Sequence, residues 1–158
     1  MKKNIFIVSI VVMIAVIAFS ISVYQTASSP LHKAEDEAFA VAKSSAGLTK
    51  VDDFYWYNGT KTYFTVTGTN QEGEAVIAIV AQDGGAATVY NQADIITEAE
   101  AVQLTKQATT PKKILEARIG MENGTAIWEV AYKQENGRLG YYVMSLESGE
   151  WIKGIENI

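Results

Sequence analysis

Thr62-Tyr63-Phe64-Thr65-Val66-Thr67-Gly68-Thr69 has a counterpart at a spacing of 64, Ala126-Ile127-Trp128-Glu129-Val130-Ala131-Tyr132-Lys133. In the first stretch Phe64 and Val66 alternate with Thr, the period of a half-buried antiparallel strand. In the second, Trp128 and Val130 fall on the same two positions. The register extends further, since Gly73, Ile79 and Gly85 match Gly137, Val143 and Gly149 at that spacing. Upstream, Glu37-Ala38 and Lys43 match Glu100-Ala101 and Lys106 at 63. An aromatic-aliphatic pair and two glycines in one register point to a duplicated unit.

Each half reads as one helix followed by four short strands. Ser28, Ser29 and Pro30 look like a cap and a first turn, so the first helix is expected to start there. Ala34, Ala38, Val41 and Ala42 lie on one helical face up to about Lys43, and Gly47 is the expected stop. Strands are expected at 53–57, 62–69, 75–81 and 86–91. Asn58-Gly59, Asn70 to Gly73 and Asp83-Gly84-Gly85 lie between them, which is hairpin chemistry. Thr97 with Glu100 forms a capping-box signature for the second helix, whose apolar face is Ala101, Leu104, Thr105 and Ala108. Pro111 bars a longer helix. Strands follow at 114–121, 125–133, 139–146 and 150–153, with Asn123-Gly124, Asn136-Gly137 and Ser148-Gly149 between them. The fold class is therefore α+β, with each helix packed on one face of an antiparallel sheet.

Ahead of these units lies Ile5 to Val23, 19 residues without charge, Pro or Gly. At about 1.5 Å of rise per residue this run spans a hydrocarbon layer of roughly 30 Å. It is longer than a signal-peptide core, and Ser20-Ile21-Ser22 and Thr26-Ala27-Ser28 are poor cleavage sites, so an uncleaved transmembrane anchor is expected. Lys2 and Lys3 precede the run and the next Lys is Lys33, a bias that leaves the N-terminus cytoplasmic and the rest outside. The expected division is 1–27 for the tip, anchor and juxtamembrane segment, 28–93 for the first unit and 94–158 for the second.

Beyond Lys2 and Lys3, 11 basic residues stand against 18 acidic ones, a net of −7. Nucleic acid is excluded as a partner, because phosphate binding needs a cationic face. The chain has no Cys, hence no disulfide, thiol nucleophile or thiolate metal site, which fits an exported Gram-positive protein. The single His, His32, follows the anchor with no ligands spaced for zinc and no orienting carboxylate for a Ser mechanism. Asp52-Asp53 and Glu72 with Glu74 sit at turns or strand starts, where solvated acids are ordinary. No catalytic, metal or cofactor-binding residue is assigned.

The aromatic residues carry more information. Phe54, Tyr55, Trp56 and Tyr57 are consecutive, so strand alternation sends two to each face, and Tyr63 lies across the turn. One pair suffices for a core. The other either packs between the two units or forms a partner-binding surface, for which Tyr55, Tyr57 and Tyr63 are the candidates. Tyr132, Tyr141, Tyr142 and Trp151 pose the same question in the second half.

Thr97-Glu-Ala-Glu-Ala-Val, then Ala126 to Tyr132, then Tyr141-Tyr-Val-Met-Ser-Leu-Glu-Ser-Gly-Glu-Trp-Ile resemble a PepSY domain. Ser145 and Ser148 depart from it where that family often has Asp and Thr. The whole layout, a Lys-flanked anchor, an acidic Ala-rich helix, a degenerate first unit and this second one, resembles the TseB-like (YpmB) family of Gram-positive cell wall elongation regulators. The resemblance implies cystatin-like units, no enzymatic activity, and a role beside penicillin-binding proteins in peptidoglycan synthesis. PepSY domains also occur in protease propeptides, so inhibition of an extracellular peptidase is the alternative it implies.

Overall fold

The structure is a computed structural model that describes the backbone of residues 2–84, 87–156 and 158, and the side chains of these apart from 2–6, 8 and 9. Residues up to Asp36 form one compact unit and Glu37–Ile158 another. Gly85, one of the glycines matched by spacing, lies outside the described residues, as does Ala86 at the expected start of the fourth strand.

Helix α1 runs Lys2–Ala46 without a break. The expected start at Ser28 is thus corrected, since Pro30 lies inside the helix. Proline removes one N–H, whereas ending and restarting a helix orphans several backbone groups at each end, so continuity is the smaller loss. The run Ile10–Ala46 contains a window long and apolar enough to cross a membrane, none of it buried in the protein. Phe19, for example, is 71% exposed. Ala38 and Ala42 are buried, as their four-residue spacing requires, and the helix ends at Gly47, whose φ of 65° is the left-handed conformation that glycine accepts.

Two four-stranded antiparallel meanders follow. The first is β1 (Leu48–Asn58), β2 (Thr62–Asn70), β3 (Ala75–Ala81) and β4 (Thr88–Asn91), in that order across the sheet. A short 3-10 turn (Gln92–Asp94) leads to α2 (Glu98–Thr109). The second sheet is β5 (Lys113–Glu122), β6 (Thr125–Lys133), β7 (Leu139–Ser145) and β8 (Trp151–Glu156). The 64-residue offset recurs in the pairing. Phe64 faces Val80 and Val66 faces Ala78 across β2 and β3. Trp128 faces Met144 and Val130 faces Tyr142 across β6 and β7, each partner again displaced by 64.

The faces are less simple than alternation suggests. Phe64, Val66, Trp128 and Val130 are buried as expected, but so are Thr65 and Thr67. Strand β2 is covered on both faces. On one, the rings of Phe54 and Trp56 lie against Phe64. On the other, Ile77 and Ile79 join Ala117, Ile119, Trp128, Val130, Met144 and Ala101 in one apolar cluster that unites the first sheet, the second sheet and α2. Thr65 Oγ1, fully buried, donates to the Ile119 carbonyl at 3.1 Å. Strand β5 is an edge strand, and this contact covers part of an edge that would otherwise present unpaired backbone groups. Ala108, expected on the apolar face of α2, is exposed, while Ala101 and Thr105 are buried.

Candidate partner-binding site between the two sheets

Tyr55 and Tyr57 leave β1 in the same direction and straddle β5. The Tyr55 ring meets Trp128 edge to face, with centroids 5.7 Å apart at 88°. The Tyr57 ring passes to the opposite face of the second sheet, where it packs with Ile127 and Val143. It fits there because position 120 is Gly. A Cβ on Gly120 would overlap ring carbons of Tyr57. The Tyr57 hydroxyl donates to Glu122 Oε2 at 3.3 Å.

Beside Tyr55 a cavity of about 250 Å³ opens between the sheets and the start of α2. Asp53, Tyr55, Gln92, Glu98, Ile119 and Trp128 are among its walls. Several are positioned by local chemistry. The Asp53 backbone N–H donates to Thr67 Oγ1 at 3.1 Å, next to a bulge between Val51 and Asp53. The Trp128 indole N–H donates to the Ile96 carbonyl at 2.9 Å. Glu98 is held by the capping box, in which Thr97 Oγ1 accepts from the Glu100 N–H at 3.2 Å and Glu100 Oε2 accepts from the Thr97 N–H at 2.7 Å. The Tyr55 hydroxyl reaches Glu98 Oε2 at 3.4 Å.

Burial, then the negative charges of Glu98 and Asp53, push the Tyr55 phenol well above its ordinary value. The cleft therefore has an aromatic wall, an acidic rim and one phenol, Tyr55, that stays protonated and donates. Such a site suits a cationic side chain with an apolar stem, stabilised by the carboxylates and the half-buried Tyr55 ring. Among the described residues no three His, Cys, Asp or Glu come together as metal ligands.

Of the three candidate tyrosines, only Tyr55 lines the cleft. Tyr57 is 1% exposed and Tyr63 is half-buried against both apolar clusters, so these two pack between the halves. Glu98 and Trp128 are wall residues that sequence reasoning did not assign to a site. The capping box located Glu98 at a helix start, but nothing in the sequence says which strand that start faces. Two of the acids at turns and strand starts are tied to neighbours. Asp52 pairs with Lys50, and Glu74 is tied to Asn70, whose Oδ1 accepts from the N–H groups of Glu72 and Glu74 across the β2–β3 turn.

Residues 37–81, from the last turns of α1 through β3, match the family model described as the cell wall elongation regulator TseB-like domain. This segment resembles the TseB-like domain. A Bacillus subtilis (strain 168) protein named "Probable cell wall elongation regulator TseB" is 27% identical over 146 residues, covering 92% of this chain and 91% of that one. The solved YpmB protein from Bacillus subtilis superposes with a TM-score of 0.70 at 25% identity, over 77% of this chain and 96% of its own. The resemblance stated from the layout thus stands. Its family-model match falls on the first sheet, in the half read from sequence as the degenerate one.

Proposed function

We propose that this chain is a membrane-anchored, extracytoplasmic interaction module that regulates cell-wall elongation by binding a penicillin-binding protein or a related peptidoglycan enzyme. The observation that carries this reading is the likeness to TseB across 92% of the chain, in a protein whose first helix carries a membrane-length apolar window with none of it buried. In this reading α1 crosses the membrane with Lys2 and Lys3 in the cytoplasm, and Glu37–Ile158 lies outside. The segments 28–93 and 94–158 act as two cystatin-like, PepSY-type units that work as one body. A basic segment of the partner places a cationic side chain in the cleft of Asp53, Tyr55 and Glu98. The protein binds and positions, and catalyses nothing.

A photo-crosslinking residue placed at Gln92, on the cleft wall, tests this in intact cells. The expected product is an adduct with a cell-wall synthase or hydrolase. An adduct with a secreted peptidase would replace this reading by the inhibitor alternative, and failure of cleft substitutions to change the adduct would remove the cleft from it.

A further inference from the structure

The turns that join β5 to β6 and β7 to β8 meet at one end of the second sheet, and an open groove of about 600 Å³ runs between them. Trp151 stands in its wall with 58% of its surface exposed. An indole left this open on an exposed strand contributes little to the core. Most of the residues lining the groove are polar, and several of their polar groups are held in place. Asn123 and Gly124 have φ of 49° and 83°, which fixes the first turn. In the second turn, Ser145 Oγ accepts from the Ser148 N–H at 3.3 Å, and Ser148 Oγ accepts from the Glu150 N–H at 3.2 Å. Each serine keeps its O–H to donate elsewhere. Lys153 Nζ donates to Glu122 Oε1, while Glu122 Oε2 accepts from Tyr57. The carboxylate is thus clamped from both sides, and the ammonium retains two donors.

We propose that this groove binds a neutral, β-linked oligosaccharide. A β-linked pyranose is amphipathic in the matching way. Its flat C–H face lies on the indole, and its equatorial hydroxyl or acetamide groups meet Ser145, Ser148, Asn123 and the Lys153–Glu122 pair. A flat aromatic with a few directed polar groups is the general form of an orienting site. The groove disfavours other ligands. Glu122 and Glu150 repel phosphates, and the one cation, Lys153, is already paired. Only Trp151 and Ile152 are apolar, too little to desolvate a lipid chain or a protein hot spot. The site shares no wall residue with the cleft at Tyr55, so the two readings stand or fall separately.

The test uses the full chain in a zwitterionic detergent, since glycosidic detergents would compete. Chitotriose and cellotriose are titrated while the Trp151 indole N–H and, in every variant, the backbone N–H groups of Ser148 and Glu150 are followed by NMR. The expected result is a saturable shift of that signal in the millimolar range or below, with at least one of the two sugars. Trp151→Ala should weaken binding by about tenfold or more, equivalent to about 1.4 kcal/mol, with the thermal midpoint unchanged because the side chain is exposed. Ser148→Ala should weaken it severalfold and serves as the second variant should Trp151→Ala misfold. Absence of a Trp151 shift with both sugars would overturn the proposal, as would a response that survives both substitutions.

Discussion

Tyr57 and Gly120 occupy complementary space. The phenol lies where a side chain at position 120 would stand, and a Cβ there would overlap the ring. Gly120→Ala should therefore destabilise the protein by about 1–3 kcal/mol, as overpacking does. Tyr57→Ala should cost about 3–5 kcal/mol, as for other buried aromatics. The double variant should cost less than the two together, because the new methyl occupies part of the vacated space. Denaturant unfolding of the four proteins checks this. Additivity would show that the two residues are not in contact.

Thr65 holds the first sheet to the backbone of the second through one buried hydrogen bond to Ile119. Thr65→Val keeps the shape and leaves that carbonyl unpaired. The expected loss is about 1–3 kcal/mol, the range for a buried group stripped of its partner. A neutral outcome in the same unfolding assay would mean that another donor serves Ile119.

Alkaline pH should unfold the protein through its tyrosines. Burial first, then nearby carboxylates, raise Tyr55 and Tyr57, and Tyr132 is pushed up to about 12 by burial and its bond to Glu156. A phenol raised in the folded state binds its proton more tightly there. Its contribution is complete below the unfolded value of about 10 and is lost as pH rises through the folded values. Phenolate absorbance from these residues should appear together with the loss of tertiary structure, and Tyr57→Phe should flatten the pH dependence. Full ionisation of all eight tyrosines in the still-folded protein would contradict this.

The start of α2 should be sensitive at the opposite end of the pH scale. The Thr97 backbone and side chain hold the Glu100 carboxyl below its ordinary value. Its contribution is present above the unfolded pKa of about 4.3 and fades as pH falls through the lower folded value. Thr97→Ala removes the side-chain arm of the box, leaving only the backbone N–H that Glu100 accepts, and should cost about 1 kcal/mol at neutral pH. The difference between variant and wild type should shrink in acid, as read by thermal unfolding across pH.

Binding should depend on the cleft and on the anchor. Tyr55→Ala should reduce recovery of the crosslinked partner strongly, since loss of an interface anchor typically costs about 2 kcal/mol or more. Asp53→Asn combined with Glu98→Gln should weaken recovery further as salt is lowered, because the charge attraction is greatest there. Removal of residues 1–23 with export restored should abolish function by diluting the domain away from membrane partners. Function that persists in the soluble form would show that the helix only targets the protein.

Much of the fold was written locally. Strands at 75–81 and 125–133 emerge with the bounds read from the residues, because clean hydrophobic runs end there in strong turn residues. The capping box placed α2 correctly. Local signals failed where two structures share them. Ser28-Ser29-Pro30 reads as a helix start, yet the same residues sit within a continuing helix whose flanks are long enough to absorb one missing donor. Strand β1 begins at Leu48, earlier than expected, because register shifts around Lys50 and Asp52 break the alternation that marks a strand. Thr65 and Thr67 looked solvent-facing, since no sequence pattern reveals that a second sheet will cover them. The candidate site was legible only as a surplus of aromatics. Which tyrosine meets solvent depends on how β1 crosses β5, a tertiary relationship.

The two repeats are used unequally. The face of the first sheet that carries Thr65 and Ile79 engages the second half, and the equivalent face of the second sheet carries Glu129 and Val143. A head-to-tail contact of this kind is open-ended in principle, since every added repeat would offer the same face again. Here it stops after one step. Tyr57 folds over Val143, and Glu129 is locked to Arg118 at 2.7 Å within a paired charge cluster. Burial raises the Glu129 carboxyl despite that partner, a sign that the pair is held out of water. The second repeat thus bears a terminal cap, as the ends of repeat arrays do. Two sheets of the same strand order thus form a closed pair, with one face that joins and one that terminates.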